Sequence, residues 1–260
     1  MIDNIVKLWP YASLAARWED DRNLRNTDPT DFIFTTLKEW HTVRNFKLFK
    51  IKHKKCIDYS YLAEIDCSVD RKTIIAHLGT DNKAAWIRNI FGTLRGFFFP
   101  FNGMNPAFGI AGWRTYKTIY KYIKQHPYIT RYPIYNVMHS RGVRGNSMSF
   151  FLAEHNILTF NYGYCVPPIW TRKGLRLCKR KDLQITNIFS PGDPVDNLGF
   201  FKFKHYGNKV KLRRAKDWQM SNIPFGPHSY SAVTHNLIET YKTNTEAIEY
   251  LRKRAFVDEK

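Results

Sequence analysis

Residues Ile134-Tyr135-Asn136-Val137-Met138-His139 form a short, mostly apolar run that stops abruptly at Ser140-Arg141-Gly142. Its first part, Ile134 to Val137, reads as a buried strand. A strand that ends in a small hydroxyl residue and then a glycine reads as a sharp strand-to-helix turn. Such a turn lifts one side chain clear of the backbone and aims it at a helix N-terminus, where unpaired N–H groups can bind developing negative charge. The pattern for that turn is G-x-S-x-G, and here it reads Met138-His139-Ser140-Arg141-Gly142 with only the second glycine present. Ser-x-Gly alone usually marks a plain turn, so the partners of Ser140 must come from the rest of the chain.

The surrounding sequence alternates strand-like and helix-like segments. Helices are expected over residues 5–23 and 29–43, the second started by Asp28-Pro29, and strands over 46–53, 58–66 and 73–78. A short helix over 84–90 and a Gly- and Phe-rich stretch over 92–108 follow. Trp113, Tyr116, Tyr120 and Ile123 then share one side of an amphipathic helix, with Arg114, Lys117, Lys121 and Lys124 between them. After the Ser140 turn come a helix over 142–156, strands over 159–166 and 183–189, a basic hairpin-like stretch over 200–214, and helices over 228–241 and 243–255. Thr243 and Glu246 stand at capping-box spacing in the last of these. Strands separated by helices imply an α/β fold with a mostly parallel central sheet flanked by helices, whose reactive groups collect at the carboxyl ends of the strands. No linker-like stretch divides the 260 residues, which read as one domain with an N-terminal helical extension over 1–45.

The formal net charge is +19, and no acidic residue occurs between Asp81 and Glu154. A polyanionic partner is therefore expected, although each basic residue in that window, Arg141 and Arg144 included, reads by itself as part of a solvated face. Cys56, Cys67, Cys165 and Cys178 show no C-x-x-C spacing and read as free thiols; His53 with Cys56 makes at most half a metal site, so no metal or cofactor is expected. Neither a signal peptide nor a membrane-spanning run is visible, which points to a cytoplasmic or peripheral membrane protein.

A serine nucleophile needs a base within hydrogen-bond reach and a carboxylate to orient that base. Where the serine sits on such a strand-to-helix turn, the order along the chain is serine, acid, histidine, and Ser140, Asp193 and His228 occur in that order. Asp196 and His235 compete for the second and third positions. Asp193 is preferred because it directly follows a strand.

Taken together these motifs resemble the class 3 lipases, the α/β-hydrolase family of fungal triacylglycerol lipases and their plant phospholipase relatives. The matches run in order over roughly residues 55–240: Ile74-Ile75-Ala76-His77-Leu78-Gly79-Thr80-Asp81, Trp86-Ile87-Arg88-Asn89, Gly112-Trp113, His139-Ser140-Arg141-Gly142, Ser190-Pro191-Gly192-Asp193-Pro194-Val195-Asp196 and His228-Ser229-Tyr230. The resemblance implies Ser140 as nucleophile, Asp193 as orienting acid and His228 as general base. It implies backbone N–H groups of Thr80 and Arg141 as the oxyanion hole, with the Thr80 hydroxyl assisting. It also makes residues 91–108 a lid, whose Phe97, Phe98, Phe99 and Phe101 would meet lipid; by composition alone that aromatic cluster equally reads as core under a long loop. Met138 stands where the family has glycine, Val143 where a further glycine is usual, and Leu78 where arginine is usual. A methionine at that point is expected to crowd the approach of strand to helix.

Two classes of function follow. The first is a serine esterase acting on a lipid or acyl-ester substrate, lipase or phospholipase A in type, through an acyl-enzyme at an anionic membrane surface. The second is an inactive hydrolase scaffold or a basic protein that grips nucleic acid or another polyanion, for which no nucleic-acid motif is present. An esterase for a soluble or polysaccharide substrate is a weaker third.

Overall fold

The computed structural model describes residues 3–20, 28–52, 57–66, 71–77, 100–197, 202–215 and 229–255. Within them a seven-stranded sheet runs β1 (Thr42–Lys52), β2 (Ile57–Asp66), β3 (Arg71–His77), β4 (Ile134–His139), β5 (Thr159–Tyr164), β6 (Gln184–Phe189) and β7 (Asn208–Lys211), in that spatial order. The first two pairings are antiparallel; β3 through β7 are parallel. The mostly parallel sheet expected from the sequence is present. The basic stretch over 200–214 is not a hairpin, because β7 is its one described strand and lies parallel to β6.

Seven α-helices flank the sheet among the described residues: α1 (Asn4–Asp20), α2 (Pro29–Trp40), α3 (Pro106–Gln125), α4 (Arg144–Leu152), α5 (Arg172–Arg180), α6 (Tyr230–Thr240) and α7 (Thr245–Arg254). The strand order explains their distribution. From β3 to β6 the sheet grows by one neighbour at a time, and crossovers between adjacent parallel strands are right-handed, so α3, α4 and α5 must all fall on one face. There they bury Ile75, Met138, Ile185 and Leu62. The opposite face holds Ala63, Ile65, Ile74, Ala76, Val137 and Ile188, and it is covered by α1, α2, α6 and α7 from the two ends of the chain. The N-terminal helix is thus one of the elements that close the sheet. Trp9, Leu14 and Ala15 on it are wholly buried.

Helix ends follow local chemistry. Asp28 caps α2 by accepting from the Thr30 N–H at 2.8 Å, with Pro29 in the first turn, as the sequence signals. At α7 the expected cap moves by one residue: Asn244, not Thr243, accepts from the Ala247 N–H at 3.1 Å. Asn outranks Thr as a cap, and Thr245 then opens the helix.

Candidate active site

Ser140 follows the last residue of β4 and opens a 3-10 turn that runs into α4. Its φ is +53°, a left-handed backbone that a serine adopts only when its surroundings impose it. The turn reverses the chain at the carboxyl edge of the sheet and leaves Ser140 partly exposed between buried neighbours, His139 and Arg141.

The missing first glycine does not prevent this. Met138 is wholly buried and its side chain belongs to the apolar cluster under α3–α5 together with Val143. The close approach is made instead at Gly142, where a Cβ would lie 2.8 Å from the His77 carbonyl oxygen and 3.1 Å from the Met138 Cβ. Met138 does stand close to the turn, and the residue facing it there is Gly142, which carries no side chain.

Beneath the turn a polar ladder crosses the sheet. His77 Nδ1 lies 2.8 Å from Ser60 Oγ, and its Nε2 lies 2.6 Å from Asn136 Oδ1. Asn136 donates through Nδ2 to the Gly145 carbonyl at 2.9 Å and to Asn161 Oδ1 at 2.7 Å; Asn161 in turn donates to the Gln184 carbonyl at 2.8 Å. Because the Asn136 amide must present nitrogen to a carbonyl, its oxygen faces His77. That imidazole therefore donates from Nε2 and accepts from Ser60 at Nδ1. Burial, reinforced by the positive charge of Arg144, pushes His77 down to about 3, so it stays neutral. With both nitrogens committed, His77 orders the turn and does not serve as its base.

Arg141 and Arg144, which the charge pattern assigns to a solvated face, are buried. Arg141 is 6% exposed and pairs with the wholly buried Asp58, Nη2 to Oδ1, at 3.4 Å. Arg144 is wholly buried and donates to the Tyr59 carbonyl. On the other side of the sheet the His139 and Trp9 rings meet in a T-shaped arrangement at 5.8 Å between centroids, and the Trp9 indole N–H donates to Thr234 Oγ1 of α6 at 2.8 Å. Neither contact has a local signature in the sequence, where residues 1–45 carry no chemistry of their own.

Asp193 sits in the turn after β6 and is 4% exposed; its Oδ1 accepts from the Val195 N–H at 2.8 Å. Strand register puts His139, the residue before Ser140, level with Ile188, two strands away across β5, or roughly 10 Å at ordinary strand spacing. Four residues of chain then separate Ile188 from Asp193. The same turn is tied to α6, since Asn236 Nδ2 donates to Ser190 Oγ at 2.6 Å. Ser229 caps α6 by accepting from the Ala232 N–H at 3.1 Å. The residue before that cap is His228.

Ser140 and Asp193 thus follow strand ends at one edge of the sheet, and α6 is joined to the Asp193 turn through Asn236. His228, Thr80, Gly79, Phe97, Phe98 and Phe99 lie outside the described residues, as do Leu78, Cys56, Cys67 and His53. Nothing is described of the Asp196 side chain. His235 is half-buried on α6, next to Asn236. Phe101 is half-buried and packs on Phe151, with ring centroids 6.3 Å apart, within the cluster of Met104 and Trp170. Cys165 and Cys178 are buried.

No protein-family model matches the chain, and no curated protein sequence does. Solved structures do. A Rhizomucor miehei triacylglyceride lipase superposes with a TM-score of 0.58 at 13% identity, covering 82% of each chain. The Lip2 lipase of Yarrowia lipolytica gives 0.56 at 15% identity, covering 82% of this chain and 81% of its own. A triacylglycerol lipase whose catalytic centre is described as a serine protease triad gives 0.57 at 14% identity, covering 88% and 94%. The chain has the α/β-hydrolase fold of the fungal lipases.

Proposed function

We propose that this protein is a serine hydrolase that cleaves carboxylic ester bonds of lipids through an acyl-enzyme. The observation that carries the reading is the left-handed Ser140 at the end of a central strand, on a fold shared with triacylglycerol lipases. Ser140 attacks the ester carbonyl, and His228 takes its proton and returns it to the leaving alcohol. Asp193 holds the imidazole tautomer. The N–H groups of Thr80 and Arg141 receive the oxyanion, and water then releases the acid.

Charge points to the surface at which this happens. On the α3–α5 side Lys117, Lys121, Lys124, Arg172, Lys173, Arg176, Lys179 and Arg180 are exposed, and neither α3 nor α5 contains an acidic residue. Ile110 and Trp113, in the first half of α3, are exposed beside them. This combination suits an anionic phospholipid surface, with phospholipase A action as the finer reading. Phe97, Phe98 and Phe99 supply shallow insertion, and Phe101, held by Phe151, anchors the end of the lid-like segment.

The test is hydrolysis of a short-chain nitrophenyl ester, expected for the purified protein and abolished by Ser140→Ala without unfolding. A folded, inert protein that retains DNA in a steeply salt-dependent way would instead favour the polyanion-binding scaffold. Sedimentation with anionic but not neutral vesicles, weakened by Trp113→Ser, is the result expected of the membrane-surface part.

A further inference from the structure

We infer that Asp58 is a positioning residue for this reaction: through the buried Arg141 guanidinium it fixes the peptide between Ser140 and Arg141, whose N–H receives the oxyanion. The inference rests on the serine hydrolase reading above. It starts from register. β2 runs antiparallel to β3, and the last pair between them is Ser60 with His77, so Ile57, Asp58 and Tyr59 extend past the described end of β3 at the carboxyl edge of the sheet. That overhang brings β2, a strand with no crossover of its own to the site, alongside the Ser140 turn.

Both arginines after the nucleophile are held there. Arg141 meets the Asp58 carboxylate at 3.4 Å, and Arg144, one helical turn on, donates to the carbonyl of the next residue, Tyr59. The segment Ser140–Arg144 is therefore tied to two successive residues of one rigid strand. Three of these groups are deeply buried, Asp58 and Arg144 completely.

A buried ion pair is a poor device for stability, because desolvating the two charges cancels much of their attraction. What such a pair does provide is a fixed geometry, and this turn needs one. The left-handed φ of Ser140 persists only if the neighbouring residues over-determine it. An oxyanion donor must also lie within about 2.7–3.1 Å of the developing charge. A small rotation of the Ser140–Arg141 peptide would move that N–H out of range while leaving the Ser140 hydroxyl available. Asp58 has no part in the proton transfers and acts only through Arg141.

The test is a double-mutant cycle on nitrophenyl ester hydrolysis. Asp58→Asn and Arg141→Met are each expected to lower kcat by about 10–100-fold with KM unchanged, within the range for weakening one oxyanion donor. The rate of fluorophosphonate labelling should fall in proportion, and circular dichroism should be unaltered. Because the two act as a unit, the double variant should lose no more than the worse single one. A kcat within twofold of wild type for folded Asp58→Asn, or losses that multiply in the double variant, would overturn the inference. Should Asp58→Asn fail to fold, Arg141→Lys keeps the buried charge but not the planar fork. It is expected to lower kcat at constant KM, and wild-type kcat in that variant overturns the inference equally. Failure of the underlying reading looks different: the wild type itself would be inert and its Ser140 unlabelled.

Discussion

The two faces of the sheet are built on different chemistry. Beneath α1, α2, α6 and α7 the interior is a continuous apolar cluster around Trp9, Leu14, Ile33, Leu37 and Val137. Beneath α4, between two further apolar clusters, run Ser60, His77, Asn136 and Asn161, with Asp58, Arg141 and Arg144 at its upper end. Apolar packing is tolerant of small shifts, whereas hydrogen bonds fix distance and direction. The first face supplies stability; the second supplies the shape of the Ser140 turn, which no single residue in it would adopt unaided.

The sharpest way to break this contrast is Trp9→Ala, a large deletion on the apolar face that should cost about 3–5 kcal/mol in urea unfolding. The surviving folded fraction should lose activity as well, because Trp9 also touches His139. Leu37→Ala, far from the turn, should cost about 2–5 kcal/mol and leave kcat per folded molecule unchanged. On the polar face Asn136→Ala strands the His77 and Asn161 side chains at a cost of about 1–3 kcal/mol. Its kcat should fall much more than its stability implies; an unchanged kcat would show that the ladder is only structural.

Acid titration compares the faces in one experiment. His77, on the polar face, is pushed down to about 3 by burial and Arg144; His41, bonded to the Tyr11 hydroxyl at the edge of the apolar face, is pushed down to about 4 by burial, Arg254 and Lys72. Both histidines are neutral when folded and bind a proton near the ordinary histidine value when unfolded. Their contribution is therefore complete above about pH 6.5. It is lost as the pH falls toward 4 and then 3, at up to roughly 1.4 kcal/mol per pH unit for each. Unfolding free energies at pH 7, 6 and 5 should decline along that limb, and His41→Gln should flatten it to one proton. A stability constant from pH 7 to 4.5 would contradict the burial of both rings. The smallest effect is a gain: Ser140→Gly should stabilise the fold by about 1 kcal/mol by releasing the left-handed strain while abolishing turnover.

Much of this was legible in the sequence, for reasons that can be located. The apolar runs at 58–66, 73–78, 134–137, 159–166 and 183–189 each became a strand within about two residues of the expected ends, because buried strands have little choice of composition. The Ser140 turn was visible because a hydroxyl and a glycine interrupt such a run. The pairing of Arg141 with Asp58 was not. Sequence separation hides it, and within an acid-free window an arginine next to Ser140 looks like any other surface cation. The role of α1 was hidden similarly, since Trp9 reaches Thr234 across nearly the whole chain. Asn136 offered one neglected signal: an amide in the middle of a run otherwise destined for burial requires buried partners.

The central claim is that the left-handed turn at the end of β4 presents an activated nucleophile. Incubating the protein with a fluorophosphonate probe and mapping the adduct by mass spectrometry tests it without knowledge of the substrate. Stoichiometric, time-dependent modification of Ser140, lost on heat denaturation and in His228→Ala, is the result expected. A folded protein that leaves Ser140 unmodified, or that labels equally well after denaturation, would contradict it.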